Sequence, residues 1–323
     1  MSKTPSINII TDPACTQYHA PGHPERPERI RKTILKLRRQ HDLHVEWLKP
    51  QPVDDKVLLR AHSPAHLKRL EKQVDFDLDT PPPPQIAQHA RRSGGGALRA
   101  LRCALRHKHS FSLLRPPGHH AVREDAMGFC YLSTIAITAL AARAAGIERV
   151  AVFDFDVHHG NGTEAILVGR PGVAFFSIHQ FPGYPGTGRR HRGDNCFNYP
   201  IPPGLPAHDY RDVALEALQD LKNFNPGLIA VSAGFDAYAR DPLCQQRLEA
   251  EDFHWLGHTL ANLNIPMLSL LEGGYSDDLP ELILAYLRGI TGLPLHETAP
   301  EPGETHPSTE DEDSFWGLSD LLK

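Results

Sequence analysis

Cysteine pairs and long apolar runs are both missing from this chain of 323 residues. The five cysteines are scattered without Cys-x-x-Cys spacing, which argues against a disulfide framework and against a thiolate zinc site. No apolar run reaches the roughly 18 residues that a membrane-spanning helix needs, so we expect no membrane partner. The first residues, MSKTPSINIITDP, lack the pattern of a secretory signal, and the cytoplasm is therefore the expected location.

A concentrated basic face is missing too, so we expect no nucleic-acid partner. The formal net charge is −5, and the acidic residues are most concentrated at one end: from Pro294 onward there are eight acidic residues and a single lysine. We predict a folded domain over residues 1–293 and an acidic, proline-rich tail over residues 294–323. The tail ends in SFWGLSDLLK, which either packs loosely on the domain or acts as a docking peptide for another chain.

Short apolar strands alternate with longer helical patterns along the body of the chain. The predicted strands cover residues 7–10, 110–114, 149–157, 172–179, 228–235 and 266–275. The predicted helices cover residues 26–40, 63–74, 85–107, 132–145, 207–223, 250–263 and 279–292. Several strands are nearly continuous aliphatic runs, which is typical of parallel strands buried on both faces. The alternation predicts a single-domain α/β fold with a mostly parallel central sheet and helices on both faces.

Polar clusters stand at the ends of four of these strands. RPPGHHA follows the strand at 110–114, and FDFDVHHGNGT closes the strand at 149–157. Asp236 follows the strand at 228–235, and EGGY, with Tyr275, closes the last strand. Because ligands of α/β sheets bind outside the carboxyl ends of the strands, we expect the four clusters to converge on one pocket.

The second cluster has the composition of a metal site. Asp154, Asp156 and His158 would project to one side if the strand persists through this stretch, because alternate residues of a strand share a face. Asp156 and His158 together with Asp236 offer two carboxylates and one imidazole, with a coordination position left open. This set fits a catalytic Zn²⁺ or Fe²⁺ better than a closed structural site. The alternative is a buried Asp–His hydrogen-bond network without a metal.

Acid–base and oxyanion-stabilising groups are available in the other clusters. A histidine of the His119–His120 pair could take a proton from water and return it to a leaving amine. Asp154 and Asn161 could orient these rings as hydrogen-bond partners. Tyr275 follows two glycines and could donate to a developing oxyanion. The alternatives are a histidine pair on the surface and a core tyrosine at a strand end.

Six motifs occur in an order that resembles a known family. They are RPPGHHA, GFCYLS, DFDVHHGNGT, SIHQFPGYPGTG, SAGFDA with DPL, and LEGGY. Together they resemble the zinc-dependent histone deacetylase family of the arginase–deacetylase superfamily. HAPGHPERPERI is similar to the first loop of its class II and bacterial branches, which include the histone deacetylase-like amidohydrolases. The resemblance covers roughly residues 11–292.

The resemblance implies one catalytic Zn²⁺ bound by Asp156, His158 and Asp236. It implies that His120 is the general base and then the general acid, with His119 as its electrostatic partner. Further implied roles are support of His119 by Asp154, support of His120 by Asn161, and a hydrogen bond from Tyr275 to the acyl carbonyl.

The resemblance also implies a narrow substrate tunnel and a second cation. The tunnel would be walled by Gly128, Phe129 and Tyr184, with Leu243 on an apolar rim and Asp79 as a rim carboxylate. A structural K⁺ would lie at Asp154, Asp156, His158 and Ser177. Two residues depart from the commoner pattern of the family: Asn161 stands where many members have aspartate, and Tyr184 where phenylalanine is common. The asparagine is compatible with activity but changes the expected pKa of His120.

The expected function is removal of acetyl or other acyl groups from ε-N-acyl-lysine in proteins, with release of acetate. An alternative is an acetylpolyamine amidohydrolase, which would need carboxylates at the tunnel mouth from Glu25, Glu28, Asp75, Asp77 or Asp79, or from a second copy in a homo-oligomer. A remote alternative is an acyl-chain binding module without turnover. The combination of the His119–His120 pair, one metal site and Tyr275 also argues against a binuclear manganese ureohydrolase.

Overall fold

The computed structural model describes residues 5–72 and 74–296, which contain one parallel sheet with the strand order β2-β1-β3-β8-β7-β4-β5-β6. Every pair of neighbouring strands is parallel. This confirms the predicted α/β class. The strands are β1 (Ser6–Ile10), β2 (His44–Leu48), β3 (Ser110–Ser112), β4 (Val150–Asp154), β5 (Val173–Gln180), β6 (Cys196–Ile201), β7 (Leu228–Ala233) and β8 (Met267–Leu271).

Helices flank the sheet. Among the described residues these are α1 (Glu28–Arg39), α2 (Asp55–Leu58), α3 (Pro64–Leu70), α4 (Ile86–Ala104), α5 (Thr134–Ala144), α6 (Asn161–Leu167), α7 (Ala207–Phe224), α8 (Ala250–Ala261) and α9 (Leu279–Thr291). Helices α4 and α5 pack on each other and on the central strands, while α1 and α8 pack on α9. Every residue of β4, β7 and β8 is buried, so both faces of the central sheet are covered. No helix within this part of the chain is long and apolar enough to cross a membrane.

The two edge strands are absent from the sequence prediction. Strand β2 is exposed or half-buried along its whole length, so its sequence carries no strong apolar pattern. Strand β6 contains Pro200, which a sheet tolerates at an edge because proline has no N–H to donate. The short helices α2 and α6 were also not predicted, since four and seven residues are too few for a clear helical period.

Four predicted strands extend beyond their observed ends, two of them by three or four residues toward the candidate site. The strand predicted for 149–157 ends at Asp154, and the one predicted for 266–275 ends at Leu271. Phe155 and Val157 continue the apolar pattern but lie buried in the loop after β4. A buried loop with an apolar sequence therefore cannot be distinguished from a strand by its sequence pattern. The boundaries of the predicted domain and tail stay predictions, and the tail from residue 297 onward lies outside the described residues.

Candidate active site

Five strands that are consecutive in the sheet, β3, β8, β7, β4 and β5, carry the candidate site on the loops at their carboxyl ends. Because the strands are parallel, these loops all emerge at one edge and lie beside one another. In the same order they supply His119 and His120, Tyr275, Asp236, Asp156 with His158, and Tyr184. The predicted convergence of separate polar clusters is therefore present in the fold.

Three ligand-type side chains meet between the loops after β4 and β7. The Nδ1 atom of His158 lies 3.0 Å from Asp236 Oδ2 and 3.2 Å from Asp156 Oδ1. One ligand atom from each of the three lies within 4.8 Å of the other two. Backbone amides orient the carboxylates: Val157 N–H donates to Asp236 Oδ1 at 2.9 Å, and Gly273 N–H donates to Asp156 Oδ2 at 2.7 Å.

The reason for this convergence differs from the predicted one. Strand β4 ends at Asp154, so the prediction that Asp154, Asp156 and His158 share one face of a strand is wrong. Asp154 instead accepts the N–H of Asp156 at Oδ1 (3.1 Å), and its Oδ2 lies 3.1 Å from His119 Nδ1. The loop after β4, rather than strand alternation, brings Asp156 and His158 to Asp236.

The electrostatics of this group favour a bound cation. Burial raises the pKa of Asp236, and the nearby Asp156 raises it further. Burial also opposes ionisation of Asp156, but His119 and then His158 outweigh burial and lower the pKa of this carboxyl. The pKa of His158 is raised well above its usual value, because Asp236 and Asp156 outweigh the effect of burial. Two carboxylates and one imidazole are donors that could hold a divalent metal ion with a coordination position left open.

Glycine at position 273 makes the tight packing around the carboxylates possible. An added Cβ at Gly273 would lie 2.1 Å from Asp236 Oδ2 and 2.6 Å from Asp156 Oδ2. Real Cβ atoms do not approach other atoms so closely. Any larger residue would therefore displace the two carboxylates that form the candidate metal site.

The adjacent histidines have different hydrogen-bond partners. The rings of His119 and His120 are buried with centroids 4.0 Å apart. His119 Nδ1 faces the carboxylate of Asp154, whereas His120 Nδ1 lies 2.8 Å from Asn161 Oδ1. The Asn161 amide donates to Met127 Sδ at 3.3 Å, so Oδ1 is the group that accepts from His120. In neutral His120 the proton is then on Nδ1, and Nε2 is free to act as a base.

The two rings also differ in pKa. Burial lowers the pKa of His119, but Asp156 and Asp154 outweigh it and raise the pKa to about 10. Burial and the neighbouring His119 and His158 hold the pKa of His120 well below its usual range. The two pKa values thus shift in opposite directions, which favours the charged form of His119 and the neutral form of His120.

A cavity of about 280 Å³ opens over the site. Its walls are formed by residues from seven segments: Pro24, Asp79, His120, Gly128, Phe129, His158, Tyr184, Leu243 and Tyr275. All four predicted tunnel residues are among them. The Tyr184 ring lies edge-on to His120 at 5.1 Å, and the Phe129 ring lies edge-on to Tyr275 at 5.7 Å. Two aromatic walls over buried polar groups make a site for an extended apolar chain that ends in a polar head.

The carboxylates predicted as candidates for the mouth are distributed differently. Asp79 lines the cavity, and its carbonyl oxygen lies 3.1 Å from His23 Nε2. Asp75 and Asp77 are exposed in the same segment. Glu25 is not at the mouth, because it is buried in ion pairs with Arg115 and Arg29. Glu28 belongs to α1, where it pairs with Arg31 at 3.8 Å.

The residues of the predicted structural cation site lie close together. Asp154 and Ser177 are partners in the β4–β5 ladder. The hydroxyl of Ser177 lies 2.9 Å from His179 Nδ1, and the carboxylate of Asp154 is engaged by His119 and Asp156. A potassium ion at this position stays a prediction.

Two buried carboxyl groups near the site escaped the sequence prediction. Glu272 Oε2 accepts from the backbone N–H of Gly118 (2.6 Å) and of His119 (3.1 Å), so it fixes the loop that carries the histidine pair. Burial raises the pKa of Glu272 to about 7. Asp241 accepts the backbone N–H of Tyr275 at 2.7 Å. Both residues belong to motifs quoted above, LEGGY and DPL, but their partners are backbone amides that no sequence pattern reveals.

Comparisons with known proteins agree with the site. The family described as "Histone deacetylase domain" matches residues 23–289. A "Probable deacetylase" of Methanothermobacter thermautotrophicus is 37% identical over 91% of this chain and 94% of its own. The "Histone deacetylase-like amidohydrolase" of Pseudomonas aeruginosa is 37% identical over 85% of this chain and 78% of its own. The crystal structure of acetylpolyamine aminohydrolase from Burkholderia pseudomallei superposes with a TM-score of 0.82 and 27% identity, covering 89% of this chain and 99% of that one. The chain therefore belongs to the histone deacetylase family of the arginase–deacetylase superfamily, whose members include deacetylases and amidohydrolases.

Proposed function

We propose that the chain is a zinc-dependent hydrolase that removes acetyl or other acyl groups from ε-N-acyl-lysine in proteins. The observation that supports this best is the shared cavity, because His120, His158 and Tyr275 border the same narrow space. A lysine side chain is an apolar chain with a polar end, which matches aromatic walls above a polar floor. When bound by Asp156, His158 and Asp236, zinc would supply the Lewis acidity that makes water nucleophilic near neutral pH.

The side chains divide the proton transfers between them. His120 accepts the proton of the attacking water at Nε2 and later delivers that proton to the departing amine, so the C–N bond breaks and acetate and free amine result. The hydroxyl of Tyr275 donates to the oxyanion that develops on the acyl carbonyl. Asp154 keeps His119 oriented, and Asn161 keeps the Nδ1 proton of His120 in place.

A second candidate substrate is an acetylpolyamine. Asp79 at the cavity and the exposed Asp75 and Asp77 beside it would attract the distal ammonium groups of such a molecule. The similar solved structure is that of an acetylpolyamine aminohydrolase, which supports testing this substrate class. A homo-oligomer in which a second copy borders the mouth stays a prediction, and light scattering would test it.

The deciding experiment compares two substrates with the zinc-loaded chain. We would measure kcat/KM for an acetyl-lysine peptide and for N-acetylputrescine, following acetate release, with the Tyr275→Phe variant as the control against contaminating activity. A preference for the peptide supports the protein deacetylase, and a preference for the acetylpolyamine supports the second candidate. Absence of acetate release from both would refute the proposed deacetylation.

The predicted structural potassium needs a separate measurement. If K⁺ binds near Asp154 and Ser177, replacing KCl with choline chloride at equal ionic strength should lower the melting temperature, because an ion that binds only the folded state stabilises it. Equal melting temperatures in the two salts would argue against the ion.

A further inference from the structure

Asp241, the first residue of the DPL motif, is a buried carboxylate that joins two walls of the cavity. Only 6% of its surface is exposed. Its Oδ2 accepts the backbone N–H of Tyr275 at 2.7 Å and of Ser276 at 3.2 Å. Its Oδ1 accepts the backbone N–H of Leu243 at 3.0 Å. One side chain therefore binds the loop after β8 and the rim segment after β7 at the same time.

The partners of Asp241 are backbone amides rather than a cation. The adjacent Arg240 turns away and pairs with Asp278 at 3.2 Å and Glu249 at 3.4 Å. Burying a carboxyl group without a charged partner is costly unless several donors satisfy it, and three backbone N–H groups do so here. This arrangement stabilises one relative position of the two loops, because the hydrogen bonds form only when the backbone N–H groups of both loops point at the Asp241 carboxylate.

The peptide group between Gly274 and Tyr275 is held at both its carbonyl oxygen and its N–H. Arg29 Nε donates to the carbonyl oxygen of Gly274 at 2.7 Å, and the Arg29 guanidinium lies 4.9 Å from the centre of the Tyr275 ring. Asp241 binds the next polar backbone group, the N–H of Tyr275 itself. Gly274 has a φ of +113°, which glycine adopts without a steric penalty, and the hydrogen bonds from Arg29 and to Asp241 hold its loop in this conformation.

We propose that Asp241 is a positioning residue that sets the Tyr275 hydroxyl at the acyl carbonyl and, through Leu243, sets the rim at a fixed distance from it. The inference rests on the proposed deacylase function. Asp241 itself touches no reacting atom. Its effect is transmitted through the backbone of Tyr275, so its loss removes only the part of catalysis that Tyr275 supplies.

A double-mutant cycle tests this proposal with an acetyl-lysine peptide as substrate. Asp241→Asn keeps the shape of the side chain but turns an NH₂ group toward N–H donors, and we expect kcat to fall about 10- to 100-fold, the usual effect of a small misplacement. In the Tyr275→Phe background the same change should have little further effect, because both changes remove one interaction. Asp278→Asn is the matched control, since Asp278 contacts Tyr238 and Arg240 but not the Tyr275 backbone.

An activated substrate separates positioning from general damage. The carbonyl of a trifluoroacetyl-lysine peptide is more electrophilic and depends less on a hydrogen bond to the oxyanion. We therefore expect Asp241→Asn, like Tyr275→Phe, to raise the ratio of trifluoroacetyl to acetyl turnover. Loss of zinc or partial unfolding would lower both rates together, and metal analysis with a thermal melt would detect either. Hydrogen exchange of the amides of residues 275 and 276 should also become faster in this variant.

The outcomes distinguish the two proposals. The positioning role would be overturned if the two single-variant losses in kcat multiply in the double mutant, or if Asp241→Asn lowers turnover of the acetyl and trifluoroacetyl substrates equally. The proposed deacylase function would stand in either case. Absence of turnover by the wild-type chain on every acyl substrate would overturn both proposals.

Discussion

The Nδ1 atom of His120 lies 2.8 Å from the side-chain oxygen of Asn161, a neutral amide. An amide oxygen fixes the ring and its tautomer without adding a negative charge. His119, in contrast, faces the carboxylate of Asp154. Burial lowers the pKa of His119, but the negative charges of Asp156 and Asp154 outweigh burial and raise this pKa to about 10. The two neighbouring imidazoles therefore face partners of different charge, an amide for His120 and a carboxylate for His119, which is consistent with the proposed role of His120 as the proton acceptor.

Asn161→Asp should change the pH dependence of the reaction. A general base works in its neutral form, so activity falls as the pH drops through the pKa of His120, which burial and the neighbouring histidines hold low. A carboxylate at Nδ1 stabilises the protonated ring and raises this pKa by about one unit or more. The acidic limb of kcat/KM against pH should therefore move to higher pH. Asn223→Asp is the control, because it adds the same charge on the exposed face of α7 and should leave the acidic limb of the profile in place. An active Asn161→Asp variant whose acidic limb does not move would contradict His120 as the general base.

Tyr275→Phe should lower kcat by roughly 10²–10³, the usual effect of removing one oxyanion donor. The ring is 8% exposed and packs against Phe129, so phenylalanine fits the same space and the fold should be unaffected. Steady-state kinetics on an acetyl-lysine peptide measures the effect. An unchanged kcat would remove Tyr275 from the mechanism.

Asp236→Ala should abolish metal retention. The variant loses one of three ligands and leaves His158 with a single carboxylate neighbour. Zinc per chain after gel filtration, measured by mass spectrometry, should fall to near zero. Asp212→Ala, on the exposed face of α7, should retain the wild-type zinc content. Equal zinc in the two variants would refute Asp236 as a ligand.

Gly128→Ala should impair turnover more than it impairs stability. A Cβ at Gly128 would lie 2.5 Å from the His120 ring. The φ of +55° adds strain of about 1 kcal/mol for any L-residue. Gly186→Ala is the matched control, because its φ is +84° but no atom lies within 4 Å of an added Cβ. We expect similar melting temperatures for the two variants but a much lower kcat for Gly128→Ala, and equal kcat values would contradict the contact with His120.

Arg115→Ala should destabilise the fold by about 3–5 kcal/mol, because it leaves the buried carboxylate of Glu25 without its main partner. Arg115 is fully buried and also donates to the carbonyl oxygens of Cys15 and Tyr18, each at 3.1 Å. Urea denaturation gives the change in the free energy of unfolding. Lys108→Ala, in the exposed pair with Glu46, should change it by less than about 1 kcal/mol. Similar values for the two variants would indicate that the buried pair contributes little.

The sequence allowed the most accurate prediction where a buried apolar strand is followed directly by polar, ligand-type residues. The strands β4, β7 and β8 are predictable because every residue in them is apolar or buried, and the polar groups that follow them stand out for the same reason. The candidate ligands Asp156, His158 and Asp236 could be expected to meet because they follow the carboxyl ends of parallel strands, which lie at one edge, but the loop that places Asp156 and His158 was not predicted.

Other parts depend on contacts that no local pattern encodes. Glu25 was a candidate for the mouth, but it is buried by Arg29, four residues along the chain, and by Arg115, which lies 90 residues away and is brought to it only by the fold. Asp241 and Glu272 bind backbone amides, which every residue except proline possesses, so the sequence gives no sign of their partners. The edge strands lack the two-sided burial that makes a central strand visible.

Strand β8 is the last strand within the described residues but lies in the middle of the sheet, between β3 and β7. All residues before it can build only two separate half-sheets, β2-β1-β3 and β7-β4-β5-β6, which share no hydrogen-bonded strands. A chain on the ribosome therefore cannot unite the halves until residues 267–271 have emerged, and Tyr275 follows directly behind them. Chains that end before β8 should consequently be inactive and expose unpaired strand edges, which makes them targets for chaperones and proteases.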